Sequence, residues 1–74
     1  MSLEARLTNR INDIQSEDAR MTDEERLEAG ASVAALSACL CKLDPEKRED
    51  RLTYGALATE FLRDTEWVRD RRRE

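Results

Sequence analysis

The chain has 74 residues, 41% of them charged and 4% aromatic, with a net charge of −4 and no histidine. One domain of this size buries only about 60% of the surface its unfolded chain exposes, which excludes a thick solitary core and brings self-association into consideration. No apolar run is long enough to span a bilayer and no leader pattern opens the chain, so a soluble, cytoplasmic protein is expected.

Ser2 is placed to cap a first helix over about residues 3–20. Its apolar stripe is Leu3, Leu7, Ile11 and Ile14, extended by Met21, at spacings that share one helical face. Asn9, Asn12 and Asp13 are poor helix formers, so this helix depends on its packing. An arm over residues 1–20 that orders only on a partner is the alternative.

The string TDEE at residues 22–25 is a capping box, with the Thr22 hydroxyl for one orphan amide and Glu25 reaching back. It starts a second helix, expected over about residues 23–43. This helix carries two apolar seams on nearly opposite faces. The large one is Val33, Leu36, Leu40 and Leu43; the small one is Leu27, Ala31, Ala34, Ala38 and Cys41. A helix apolar on two faces is expected at the centre of a bundle. The first helix would fill the small seam and the third would cover the large one. In the alternative, the small seam pairs with a second copy of the chain.

Asp44–Pro45 restarts the chain, with Asp44 as N-cap and Pro45 in the first helical position of a third helix over about residues 45–70. Thr53 offers a second capping point, which would leave the preceding residues as a separate turn. The stripe of this helix is Tyr54, Leu57, Ala58, Phe61, Leu62, Thr65 and Val68. Arg63, Asp64 and Thr65 include neither Gly nor Pro, so the helix is expected to run on unbroken. Counted at about 100° per residue, Trp67 then falls opposite Tyr54, beside Glu60 and Arg63. An exposed Trp among arginines is the composition of an interface hot spot, which nominates Trp67, Arg63, Arg69, Arg71 and Arg72 for partner binding. A break near residues 63–65 would instead turn Trp67 toward the core.

The chemistry on offer is sparse. General acid–base catalysis lacks a histidine, no Gly-rich loop cradles phosphate, and no nucleophile stands beside a recognisable base. Catalytic residues and cofactors are therefore not expected. Cys39 and Cys41, two apart on a helix, point roughly 200° away from each other and cannot clamp one metal. They read as small buried thiols.

Basic residues gather at the end of the chain, but interleaved with acids: residues 63–74 hold 5 basic and 4 acidic side chains. The stretch LTYGALATEFLRDTEWVRDRRRE nevertheless resembles the bacterial helix-turn-helix. Leu57–Ala58, Phe61 and Val68 stand at its apolar places, while Leu62, Arg63 and Arg71 depart from it. The string WVRDRRR resembles the recognition helix of homeodomains, with Asp70 where that family has Asn. Asp only accepts hydrogen bonds and repels phosphates, whereas Asn can read adenine.

The expectation is an all-α three-helix bundle in a single domain spanning residues 1–74, with the second helix central and a homodimer as one form. Its function would be that of a small acidic, non-enzymatic regulator, an inhibitor or adaptor of the kind found in phages and plasmids. It would bind a larger protein through helix surfaces. The alternative is a helix-turn-helix-like DNA-binding regulator using residues 53–74. No membrane role is expected, and nucleic acid is the less favoured partner.

Overall fold

The computed structural model describes residues 1–72; Arg73, Glu74 and the side chain of Arg72 lie outside the described residues. The chain folds as a small all-α bundle: α1 is Leu3–Glu17, α2 is Asp23–Leu40, α3 is Arg48–Asp64 and α4 is Glu66–Arg72. A 3₁₀ turn over Asp18–Arg20 joins α1 to α2.

Local chemistry sets most helix ends. The Ser2 hydroxyl accepts the Ala5 amide at 3.1 Å, capping α1. Its last turn tightens into the 3₁₀ segment, where Arg26 of α2 donates to the Asp18 carbonyl from Nη2 at 2.9 Å and from Nε at 3.3 Å, and pairs with the Asp18 carboxylate at 3.2 Å. That side chain supplies donors to carbonyls a helix end leaves without partners. The capping box at α2 is complete: Thr22 N–H donates to Glu25 Oε1 at 2.9 Å and Glu25 N–H to Thr22 Oγ1 at 3.2 Å.

The start of the third helix differs from expectation. Asp44 accepts the Glu46 amide at 2.9 Å, two residues on, and its own amide donates to Asp50 at 2.6 Å. Asp44 therefore closes a tight turn over residues 44–47 rather than capping a helix, and α3 begins at Arg48. Thr53 lies inside α3, its hydroxyl donating to the Glu49 carbonyl.

The third helix is also not continuous to residue 70. It ends at Asp64, and Thr65 turns with φ −108° and ψ 14° before α4 starts. The cause is Arg10. Its Nη1 donates to the Leu62 carbonyl at 2.6 Å and to Thr65 Oγ1 at 2.9 Å, while the Thr65 hydroxyl donates to the Phe61 carbonyl at 2.7 Å. In an unbroken helix, the Leu62 carbonyl would accept the Glu66 amide. A buried guanidinium from α1 takes that place, and the positive charge suits the negative end of the α3 dipole.

The core joins Leu7, Ile14 and Met21 from the first third of the chain to Ala29 and Leu36 of α2. From α3 and α4 it takes Ala58, Phe61, Leu62 and Val68. The third helix packs against each of the other three helices; α1 and α4 also pack on each other, whereas α2 packs chiefly on α3. The second helix is thus not the central one. Its large seam, with Val33, Leu36 and Leu40, packs into the core, and its opposite face is uncovered. Extents of 39 × 24 × 15 Å describe a slab too thin to enclose a helix on every side. The radius of gyration is 13.0 Å, against about 11 Å for a compact chain of this length.

Candidate interaction surfaces

Of the residues nominated for partner binding, Arg63 and Arg69 are exposed and Trp67 and Arg71 are half-buried. The turn at Thr65 rotates α4 so that Val68 is fully buried, and Trp67 is half-buried, packed on the core yet bordered by the charged Glu25, Asp70 and Arg71. Arg71 stacks on the Trp67 ring at 6.0 Å from its centre and pairs with Glu25 Oε2 at 2.5 Å, tying α4 to the capping box of α2. Arg69 donates to Glu66 at 2.6 Å. Arg63 is exposed beside the Asp64 carboxylate at 3.5 Å. Arg72 is helical, and its side chain lies outside the described residues. The structure thus brings Trp67 and Arg71 together, leaves Arg63 apart on α3, and matches Arg69 with an acid on its own helix.

Two charges have shifted acidity. The Arg71 hydrogen bond, followed by the Thr22 amide, holds the Glu25 carboxyl below the usual carboxylate range. Burial lowers the Arg10 guanidinium from its ordinary value, and Arg69 pushes the same way while Asp13 and Glu66 oppose. A guanidinium stays protonated in proteins, so Arg10 sits in the core as a cation, 7% exposed.

Arg10 is not among the residues nominated from the sequence, yet the spacing carries its signal. Leu3, Leu7, Arg10, Ile14, Glu17 and Met21 follow one another at steps of 4, 3, 4, 3 and 4. A charge at such a position faces the core. Both Arg10 and Glu17 are buried, with Glu17 pairing to Arg20 at 3.4 Å.

The small seam of α2 has the opposite character. Leu27 is 74% exposed, and Ala31, Ala34, Ala38 and Cys41 are all exposed. The first helix does not fill it, because α1 spends its large side chains on α3 and α4. Cys39 and Cys41 are free and exposed, not buried. Residues 29–41 contain no charged residue, so the outward face of α2 is a neutral strip on a highly charged molecule.

A second apolar feature lies at the end of the bundle, where α1, the 44–47 turn and α3 meet. It is an open groove of about 600 Å³ floored by Leu3, Leu40, Leu43 and Tyr54. These side chains are half-buried. Among the described residues, no cluster of three or more side chains is arranged to hold a metal ion, and no helix is long and apolar enough to cross a membrane. Compared with family models, curated proteins and solved structures, the chain matches none of them.

Proposed function

We propose that the chain is a non-enzymatic protein-interaction module, of inhibitor or adaptor type, that engages a larger protein through a helix surface. The observation that carries this reading is the outward face of α2. Exposed Leu27 begins a strip of small, uncharged side chains running to Cys41. Soluble monomers seldom leave a contiguous apolar strip uncovered without an interaction purpose. Small side chains also let a partner helix approach closely.

The binding surface is therefore placed on α2 rather than on Trp67 and the arginines of α4. Ala34→Glu tests it. Ala34 is exposed, so the variant should keep the wild-type circular dichroism and melting temperature. It should lose the partner that the wild type captures from cells of the source organism. A variant that captures the same partner as strongly as wild type overturns the reading.

The DNA-binding alternative over residues 53–74 draws less support. Leu62, at the turn place of the helix-turn-helix, is buried inside α3, and among the described residues none, glycine included, has positive φ. Arg69 and Arg71 are matched with Glu66 and Glu25, which leaves a weak positive field for phosphates. Sequence-specific DNA binding near 150 mM salt would reinstate it.

A further inference from the structure

The groove at the end of the bundle combines an apolar floor, an acidic border and a glycine wall. We infer that it docks a segment of a larger protein in which a large apolar side chain stands beside a lysine or arginine. The groove lies apart from the outward face of α2, and the inference does not rest on that face. Its floor of Leu3, Leu40, Leu43 and Tyr54 is half-buried, so the free chain leaves apolar area in water there. The volume of about 600 Å³ is that of a typical ligand site. Such sites hold a free small molecule by burying most of its surface. An open groove leaves one side in solvent, which suits a side chain carried on a larger body.

The charges name the neighbour of that side chain. Glu4, Asp44 and Asp50 border the groove against one cation, Arg51. None of the three carboxylates is in an ion pair among the described residues. Two of them are held in place by neutral donors: the Glu46 amide donates to Asp44 at 2.9 Å, and the Asp44 amide donates to Asp50 at 2.6 Å. These bonds fix the carboxylates without neutralising them. A cationic segment therefore meets an acidic border set before it arrives, and an acidic one is repelled.

Gly55 supplies an independent observation. It sits inside α3 and lines the same groove. Glycine weakens a helix interior relative to alanine. Nothing within the chain requires it: its φ is not positive, and a Cβ built on it would meet no atom within 4 Å. The missing methyl widens the groove and lets an occupant approach the α3 backbone closely.

Amide NMR of the isotope-labelled intact chain tests the inference, with the blocked peptide Lys-Leu-Phe-Lys as probe and Glu-Leu-Phe-Glu as its counterpart. The lysine peptide should shift the amides of Leu40, Leu43, Tyr54 and Gly55 and saturate in the millimolar range. The glutamate peptide should bind about tenfold more weakly or not at all. Gly55→Ala should raise the melting temperature by about 4–8 °C and still weaken the lysine peptide several-fold. Glu4→Gln, on the exposed border, should weaken it as well. Absence of saturable shifts at these amides overturns the inference, as does equal binding of the two peptides or a Gly55→Ala chain that binds as tightly as wild type. Phenethylammonium binding as tightly as the peptide would assign the groove to a small amphiphilic cation instead. Shifts of the same amides on concentrating the chain alone would assign it to a second copy. The two-peptide comparison uses wild type only, so it holds whatever the variants do to the fold. None of these results counts against the reading of the α2 face, which falls only if Ala34→Glu retains its target.

Discussion

Packed on α3 and on each other are α1 and α4, joined through Arg10, Thr65 and Val68; α2 packs chiefly on α3 alone, giving one stripe to the core and leaving the opposite stripe in solvent. The first region is over-determined. A buried cation, a buried hydroxyl and fully buried apolar side chains each require the others in place. The second is under-used, with alanines and cysteines exposed where a bundle helix would bury them. In a chain this short there is apolar area for one well-packed corner, not two. The corner built around Arg10 holds the fold, and the uncovered strip on α2 is free for intermolecular contact.

The comparison is broken most decisively at Arg10. Arg10→Met keeps the apolar length of the side chain and removes the charge. It leaves the Leu62 carbonyl and the Thr65 hydroxyl without their donor. We expect a loss of about 3 kcal/mol in urea unfolding, from the lost charge-assisted bond and the orphaned carbonyl. That is a large fraction of the roughly 4–11 kcal/mol typical for a chain of this size. Thr65→Val should cost about 1–2 kcal/mol. In the double variant the two losses should sum to less than their parts, because they share one network. Additive losses would mean that Arg10 and Thr65 act separately.

The next largest effect is at Trp67. Its half-buried ring packs on the core and carries Arg71, so Trp67→Ala should lower stability by about 2 kcal/mol, less than for a fully buried Trp. The fluorescence of the free protein should be blue-shifted from that of indole in water and partly shielded from iodide. Emission at the water value with full quenching would place Trp67 on the surface.

Smaller, and visible only in acid, is the Glu25–Arg71 tie between the two regions. The Glu25 carboxyl is held below its ordinary value near 4.5. Its contribution to stability is therefore fully present above that value and is lost as the pH falls through the depressed folded pKa. Glu25→Gln keeps an acceptor for the Thr22 amide but no charge for Arg71. The melting temperatures of wild type and variant should differ by a constant amount above about pH 5 and converge in stronger acid. A difference that persists unchanged in strong acid would assign it to packing rather than to the ion pair.

Smallest of all is Cys39→Ser on the far side of the molecule. Exposed substitutions of this kind stay within about 0.5 kcal/mol. A loss several times larger in the dilute monomer would show that α2 is more deeply packed than its exposure indicates.

Much of the fold was legible in the residues themselves. The capping box at Thr22 and Glu25, the Ser2 cap and the three-and-four spacing of the stripes are short-range features. Backbone sterics and nearest-neighbour hydrogen bonds decide them, and the helices they predict are present. The nominated interaction surface was less legible. Angle counting along one straight helix does not place Trp67 and its arginines, because the chain turns at Thr65, where the sequence carries no Gly or Pro to announce it.

What the sequence determined by itself is the all-α class, the starts of α1 and α2, and the neutral two-seamed character of α2. Tertiary structure alone decided where α3 stops, which helix is central, and which seam stays open. The break at Thr65 is made by a guanidinium from 55 residues away, and no local pattern contains that donor. Only assembly of the whole corner could bring it in, because a cation leaves water for the core only where a carbonyl and a hydroxyl already wait for it. The choice of seam followed: α1 packs on α3 and α4, and the small residues of α2 stay uncovered.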